Sequence, residues 1–286
     1  MLKRSTIQLL RFRFSFLLLP VYLFALALSE NIDVTNAVII FLLLHFLLYP
    51  ASNGYNSYMD RDEGSIGDIE KPEAPTRQLY IVTWVMDITG SMLAFLISPL
   101  FAGMYMVYIV FSRLYSYRGV RLKQYPLIGY LTVVLNQGGL IFYMVYYGVN
   151  MQNHHMPWMG MLVSTFLIGA FYPITQIYQH EQDAKDGVKT LSKTLGVKGT
   201  FMYCAVLYSI AFSLLAWYFY DYGKINHFFV LMIWFVPVIV KFLSWGIMCW
   251  KDESRANFKN TMSMNWLAAF CTNFGFITLI ILKHIG

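Results

Sequence analysis

The sequence predicts an all-α, polytopic integral membrane protein with about nine transmembrane helices and two Asp-rich motifs at its cytoplasmic face. Three observations carry this reading. The 286 residues are 58% hydrophobic and only 13% charged, where soluble domains average about 25% charged residues. Apolar runs of about 20 residues recur along the whole length, each long enough to cross a hydrocarbon core of about 30 Å. Finally, Lys and Arg collect in alternate connections between those runs, as the positive-inside rule requires.

Taken in order, the first helix is expected over 9–29, preceded by Lys3 and Arg4. Its basic start, apolar body and Ala25-Leu26-Ala27 also fit a signal peptide. An uncleaved first helix is preferred, because further spans follow and no secreted domain does. The second helix is expected over 34–56, and the connection after it carries Arg61, Lys71 and Arg77. Helices over 79–97 and 99–115 are separated only by Pro99 and Gly103. Arg113, Arg118, Arg121 and Lys123 lead into a fifth helix over 126–149. A sixth over 157–180 runs into Lys185, Lys189, Lys193 and Lys198, followed by a seventh over 200–221. The eighth spans 226–250, and Lys251, Arg255 and Lys259 precede the ninth over 262–284. The basic connections place the N-terminus in the cytoplasm and the C-terminus outside, in a membrane of the bacterial inner-membrane kind. The net charge of +6 thus reads as topology and not as nucleic-acid binding. No soluble domain or long linker is evident, so residues 1–286 form one membrane domain. Cys204, Cys249 and Cys271 match no metal spacing and are expected as free thiols packed as small apolar groups.

Within this apolar chain a polar pattern occurs twice. Tyr49-Pro50-x-x-Asn53-x-Tyr55-Asn56-x-x-x-Asp60 returns as Tyr172-Pro173-x-x-Gln176-x-Tyr178-Gln179-x-x-x-Asp183. On a helix, Asn53, Asn56 and Asp60 fall on one face, and so do Gln176, Gln179 and Asp183. Most of the 15 acids lie in the two connections that follow these helices, although acids contribute little to orientation. Carboxylates clustered with amide oxygens suit a hard divalent cation, Mg2+ before Ca2+. Mg2+ usually binds through one or two carboxylates plus substrate phosphate. Two clusters facing each other would hold a diphosphate, with Lys123, Arg121 and Lys189 available to neutralise it. The 23 Phe, 21 Tyr and 7 Trp offer faces that stabilise cations and walls that keep water from a reactive intermediate. Together these features describe the ionisation of an isoprenyl diphosphate whose tail lies in the membrane lipid.

On these residues the sequence resembles the UbiA superfamily of intramembrane prenyltransferases. Asn56-Ser57-Tyr58-Met59-Asp60-Arg61-Asp62 matches the family's first motif, Asn-x-x-x-Asp-x-x-x-Asp, whose last Asp falls on Gly64. Asp183-Ala184-Lys185-Asp186-Gly187-Val188-Lys189-Thr190-Leu191, with Leu195-Gly196, is similar to the second, whose first Asp falls on Gln179. Tyr115-Ser116 and Arg121-Leu122-Lys123, with Pro126, resemble the Tyr-Ser and Leu-Lys element between them. The resemblance implies nine helices, Mg2+ as cofactor, an isoprenyl diphosphate donor and a lipophilic acceptor, commonly aromatic or quinone-precursor-like. It implies Asn56, Asp60, Asp62, Asp183 and Asp186 as metal ligands and Asp60, Asp183 and Lys123 as catalytic groups. Asn53, Asn56, Arg121, Lys189, Gln179 and Tyr115 would bind substrate.

Two other classes are weighed. A membrane transporter also carries internal repeats and polar sites, but near mid-membrane, whereas these motifs sit at the cytoplasmic boundary. A phospholipid-type alcohol phosphotransferase should show Asp-Gly-x-x-Ala-Arg, and Asp186-Gly187 continues as Val188-Lys189-Thr190-Leu191. Asp87 and Lys241, inside predicted spans, are read as structural groups in spite of the cost of charge at depth.

Overall fold

A computed structural model describes residues 1–61, 63–150 and 156–285, and those residues are helical apart from connections and one isolated bridge between Ile66 and Ile69. Among the described residues, seven helical rods are long and apolar enough to cross a membrane. They are α1 (Arg4–Leu28), α2 (Val34–Asp60), α5 (Pro126–Val149), α6 (Trp158–Lys185), α7 (Leu191–Asp221), α8 (Ile225–Lys251) and α9 (Phe258–His284). Two further helices, α3 (Arg77–Ala94) and α4 (Pro99–Ser116), are 18 residues each and do not reach that standard of apolar length.

Each carries a charged group within its length. Asp87 of α3 is buried, Arg113 of α4 is largely covered, and Arg113 donates to Asp87 from Nε at 2.8 Å and again from Nη2. Arg113 also donates to the Thr83 carbonyl at 3.1 Å and lies 3.9 Å from the centre of the Tyr55 ring of α2. The pair thus ties α2, α3 and α4 together, the structural role expected for Asp87.

The rods form a closed ring in chain order, with α9 packed back on α1 and α1 joined to α2 and α5. At the start of α2 and the end of α5, Asp33 N donates to the Val149 carbonyl and Asn36 to the Gly148 carbonyl, linking the two helices. The main apolar core, built around Phe24, Tyr105, Phe142, Leu215 and Phe276, joins the two ends of the chain.

Several rods are not uniform. Leu43–Leu48 in α2 and Leu135–Leu140 in α5 are π-helical turns, a form that recurs at functional sites. The first sits immediately ahead of Pro50, whose missing N–H would break an α-helical ladder; the wider turn accommodates it without breaking the rod. The second brings Gly138 against α6, where an added Cβ would meet Thr165 Cα at 2.7 Å. Other bounds differ from expectation. α7 begins at Leu191 rather than 200, with Gly196 kinked at φ 67° and ψ 177°, and α9 begins at Phe258 rather than 262. Cys204, Cys249 and Cys271 are buried free thiols.

Candidate active site

The two repeated motifs end on one cavity. It has a volume of about 210 Å³ and is lined by Asn53, Asn56 and Asp60 from α2 and by Gln176, Gln179 and Asp183 from α6. Each triplet arrives differently. Asn53, Asn56 and Asp60 lie on the continuous α-helical turns Tyr49–Asp60, so their spacing alone sets their common face. The second motif was expected on the same kind of helix and is not. The α-helix ends at Ile174 after Pro173, Ile177–Gln179 form a 3-10 turn, and His180–Lys185 a short α-helix. Pro173 cannot donate to the helix ladder, and Thr175 Oγ1 instead donates to the Tyr172 carbonyl at 2.7 Å. The tighter turn still delivers all three side chains to the cavity.

Asp60 is the electrostatic centre. It is 8% exposed, its Oδ2 accepts from the Lys123 ammonium, and Arg121 Nη2 lies 3.7 Å from its Oδ1. Asn56 Nδ2 donates to Asp60 Oδ2 at 2.8 Å and to Ser116 Oγ at 2.9 Å. Both amide hydrogens of Asn56 are thereby committed, which leaves its oxygen as the atom available to a cation. A neighbouring rung joins Ser52 to Ser112 at 2.6 Å. The face of α4 that carries Ser112, Tyr115 and Ser116 therefore buttresses the face of α2 that carries the first motif.

Lys123 reaches Asp60 from the 3-10 turn Leu122–Gln124, which follows Arg121 in the left-handed conformation at φ 48°. That turn rests directly on α5, where a Cβ on Gly129 would meet Lys123 Cα at 2.8 Å. Opposite, Asp183 Oδ2 accepts from Thr190 Oγ1 at 3.4 Å. Tyr115 and Tyr172 share a short hydroxyl–hydroxyl hydrogen bond, and Gln176 Nε2 donates to the Tyr172 hydroxyl at 2.9 Å. The connection after α2 is fastened to the second motif through Gln179 Nε2, which donates to the Ser65 carbonyl at 3.2 Å.

Of the expected site residues, Asn53, Asn56, Asp60, Tyr115, Lys123, Gln179 and Asp183 line the cavity. Arg121 is held behind it by Asp60 and donates to the Asp186 carbonyl at 3.3 Å. Asp186 does not line the cavity, and its Oδ2 accepts from Nε2 of the cavity-lining Gln182 at 3.3 Å. Lys189 is exposed and off the cavity wall, while its neighbours Val188 and Thr190 line it. Asp62 lies outside the described residues. Residues not anticipated also line the cavity, among them Arg11, Asn136, Gln137, Gln182 and Asn265. Asn136, Gln137 and Asn265 were detectable as amides inside predicted apolar spans, where polar groups usually bond other helices or a ligand.

The donor set fits a hard cation of modest ligation. Asp60 Oδ1 is buried with no hydrogen-bond partner, an orphaned carboxylate oxygen beside the free Asn56 oxygen. Among the described residues no three acids, histidines or cysteines converge as a metal cluster. Two carboxylates, Asp60 and Asp183, with amide groups on the same cavity wall, would suit Mg2+ completed by water and phosphate.

Behind this polar cavity lies an apolar one of about 350 Å³ between α1, α6, α7, α8 and α9. Leu17, Ile168 and Phe171 line both, so the two chambers are contiguous.

A helical membrane protein whose repeated acid- and amide-bearing segments meet on one cavity, next to an apolar chamber, has the layout of an enzyme acting on an amphipathic anion. The chain belongs to the UbiA prenyltransferase family, whose model matches residues 17–278. It is similar to a UbiA homolog from Archaeoglobus fulgidus in a structure bound to DMAPP and Mg2+, with a TM-score of 0.70 and 20% identity over 96% of this chain and 99% of that one. A digeranylgeranylglyceryl phosphate synthase aligns with a TM-score of 0.62 and 18% identity, covering 97% of each chain. A UbiA homolog from Aeropyrum pernix K1 aligns with a TM-score of 0.62 and 18% identity over 93% of this chain and 97% of the other. A comparison with curated proteins returns no match.

Proposed function

We propose that this protein catalyses Mg2+-dependent transfer of an isoprenyl group from an isoprenyl diphosphate to a lipophilic, aromatic acceptor of the quinone-precursor kind. The observation that carries the reading is the convergence of Asp60 and Asp183, from two sequence repeats, on one cavity that also holds Lys123. Family membership and the DMAPP and Mg2+ of the Archaeoglobus homolog support the donor and the cofactor.

Asp60, Asp183 and the Asn56 oxygen would hold Mg2+, whose charge assists departure of diphosphate when it is bound. Lys123, with Arg121 behind it, faces the diphosphate oxygens as a multidonor cationic pair. Asn53 offers its unpaired, buried Nδ2 as a donor, Gln179, whose Nε2 donates to the Ser65 carbonyl and the Tyr178 hydroxyl, presents its amide oxygen, and Tyr115 fixes the wall between the motifs. The apolar chamber takes the isoprenyl tail and excludes water from the reacting carbon. The allylic C–O bond breaks with its electron pair leaving on diphosphate. A π-electron pair of the acceptor ring then forms the new C–C bond, and the ring proton passes to diphosphate. We place the N-terminus in the cytoplasm and the C-terminus outside, a reading supported by the basic connections, in a membrane of the bacterial inner-membrane kind.

The test is diphosphate release by purified protein in nanodiscs from geranyl, farnesyl and geranylgeranyl diphosphate, with Mg2+ or EDTA and a lipid extract as acceptor. Mg2+-dependent release with a prenylated lipid detected by mass spectrometry is the expected result. Absence of both Mg2+-dependent donor binding and release refutes the reading.

A further inference from the structure

The least explained polar group in the molecule is Asn265 on α9. It is 0% exposed, and both its amide nitrogen and its amide oxygen are buried without a hydrogen-bond partner. Leaving a buried polar group unmatched is destabilising, and amides inside membrane helices ordinarily bond a neighbouring helix. Asn265 instead lines the polar cavity.

Its position in that cavity is specific. Along one face of α9, Met262 and Asn265 line the polar cavity, and Ala268, Thr272 and Phe276, farther along, line the apolar chamber. Asn265 is thus the last polar group before the cavity turns apolar. In the prenyl-transfer reading, Asp60, Asp183 and Lys123 already account for a diphosphate in that cavity. A ligand group reaching Asn265 is consequently the head of the second substrate, with its apolar body in the adjoining chamber.

The chemistry of the vacant partners defines that head. An amide presents one acceptor and two donors, with no charge to offset an anion. The complementary group is a neutral hydroxyl, which donates one hydrogen bond and accepts two. We propose that Asn265 selects the prenyl acceptor by binding a neutral hydroxyl, through its Oδ1 as acceptor and its Nδ2 as donor. The inference rests on the prenyl-transfer reading and commits to a ring hydroxyl, a phenol or naphthol, oriented so that the ring carbon next to it faces the donor. An alcoholic lipid would present the same hydroxyl, and a probe pair separates the two sources.

The experiment measures binding rather than turnover. Wild-type protein, Asn265→Leu and Asn265→Ala in nanodiscs are titrated with 1-naphthol and with 1-methoxynaphthalene. Mg2+ and the unreactive donor analogue geranyl S-thiolodiphosphate are present throughout, and a 1-alkylglycerol is run as the alcoholic probe. The wild type is expected to bind 1-naphthol at least about tenfold more tightly than its methyl ether, because a site built to pair a hydroxyl leaves its own groups unpaired without one. The ratio should fall to near one in both variants, while the Kd of the donor analogue stays unchanged and so reports an intact fold. An equal ratio in wild type and variants, or selection of the alkylglycerol over naphthol, overturns the proposal. Failure of the wild type to bind the donor analogue overturns the prenyl-transfer reading itself and this inference with it.

Discussion

Asp60→Asn is the substitution whose consequences the structure defines most fully. It keeps size, removes the charge and replaces one acceptor oxygen by an NH2 donor. Asp60 is the counter-ion of Lys123 and Arg121, whose side chains are 12% and 20% exposed. At the 3.7 Å separation from Arg121, the gross attraction is about 4–5 kcal/mol at an effective dielectric of about 20. Breaking a buried pair from one side costs about 3–5 kcal/mol net. The same substitution deletes one of the two carboxylates proposed to hold Mg2+. A loss of about 4 kcal/mol in the transition state corresponds to roughly a thousandfold in rate. Diphosphate itself should fare differently. With Asp60 neutral, Lys123 and Arg121 are released to it, so donor binding in EDTA should be at least as tight as in the wild type. The assay pairs diphosphate release in Mg2+ with donor Kd in EDTA. A variant that keeps Mg2+-dependent release within tenfold of the wild type would refute the charge assignment.

Three further outcomes follow from named contacts. Arg113→Met strands Asp87, whose side chain is 7% exposed, and should cost about 3–5 kcal/mol; the double variant Asp87→Leu/Arg113→Met should regain most of the lost Tm in a thermal melt. Ser116→Ala removes the 2.9 Å bond that orients Asn56, worth about 1 kcal/mol, and should raise the donor KM about fivefold with little change in Tm. Gly129→Val drives a side chain into the turn that carries Lys123, 2.8 Å from its Cα, and should lower kcat more than tenfold while the protein still elutes as a folded species; unchanged kcat would show that the turn yields freely.

Seven of the expected spans were legible because their apolar runs match a membrane, whereas α3 and α4 fall short of that apolar length. The first motif was legible for a similar reason: Asn53, Asn56 and Asp60 share a continuous helix, so spacing translates directly into direction. The second motif shows where such translation stops. Once Pro173 ends the α-helix, Gln179 lies on a 3-10 turn and Asp186 beyond a short helix. Asp183 faces the cavity, but Asp186 swings to Gln182 and Lys189 to the surface. No pattern in the sequence announces a change of helix type in the middle of a motif. The π-helical turns escaped for the same reason, since six residues contain no period of their own. Asn265 and Asn136 carried a signal, an amide in an apolar span, without indicating which ligand or helix each would meet. The Asp87–Arg113 pair could be suspected from Asp87, but its partner had been counted among the connection residues.

The two repeats meet on one cavity, and the central claim is that they act there on one metal–diphosphate complex. Its most direct test is electron paramagnetic resonance with Mn2+ in place of Mg2+ and geranyl S-thiolodiphosphate as donor analogue. Wild-type protein should show Mn2+ coupled to the phosphorus nuclei of the bound analogue, and both Asp60→Asn and Asp183→Asn should lose that coupling. Undiminished coupling in either variant would mean that its motif does not hold the complex, contradicting the shared site.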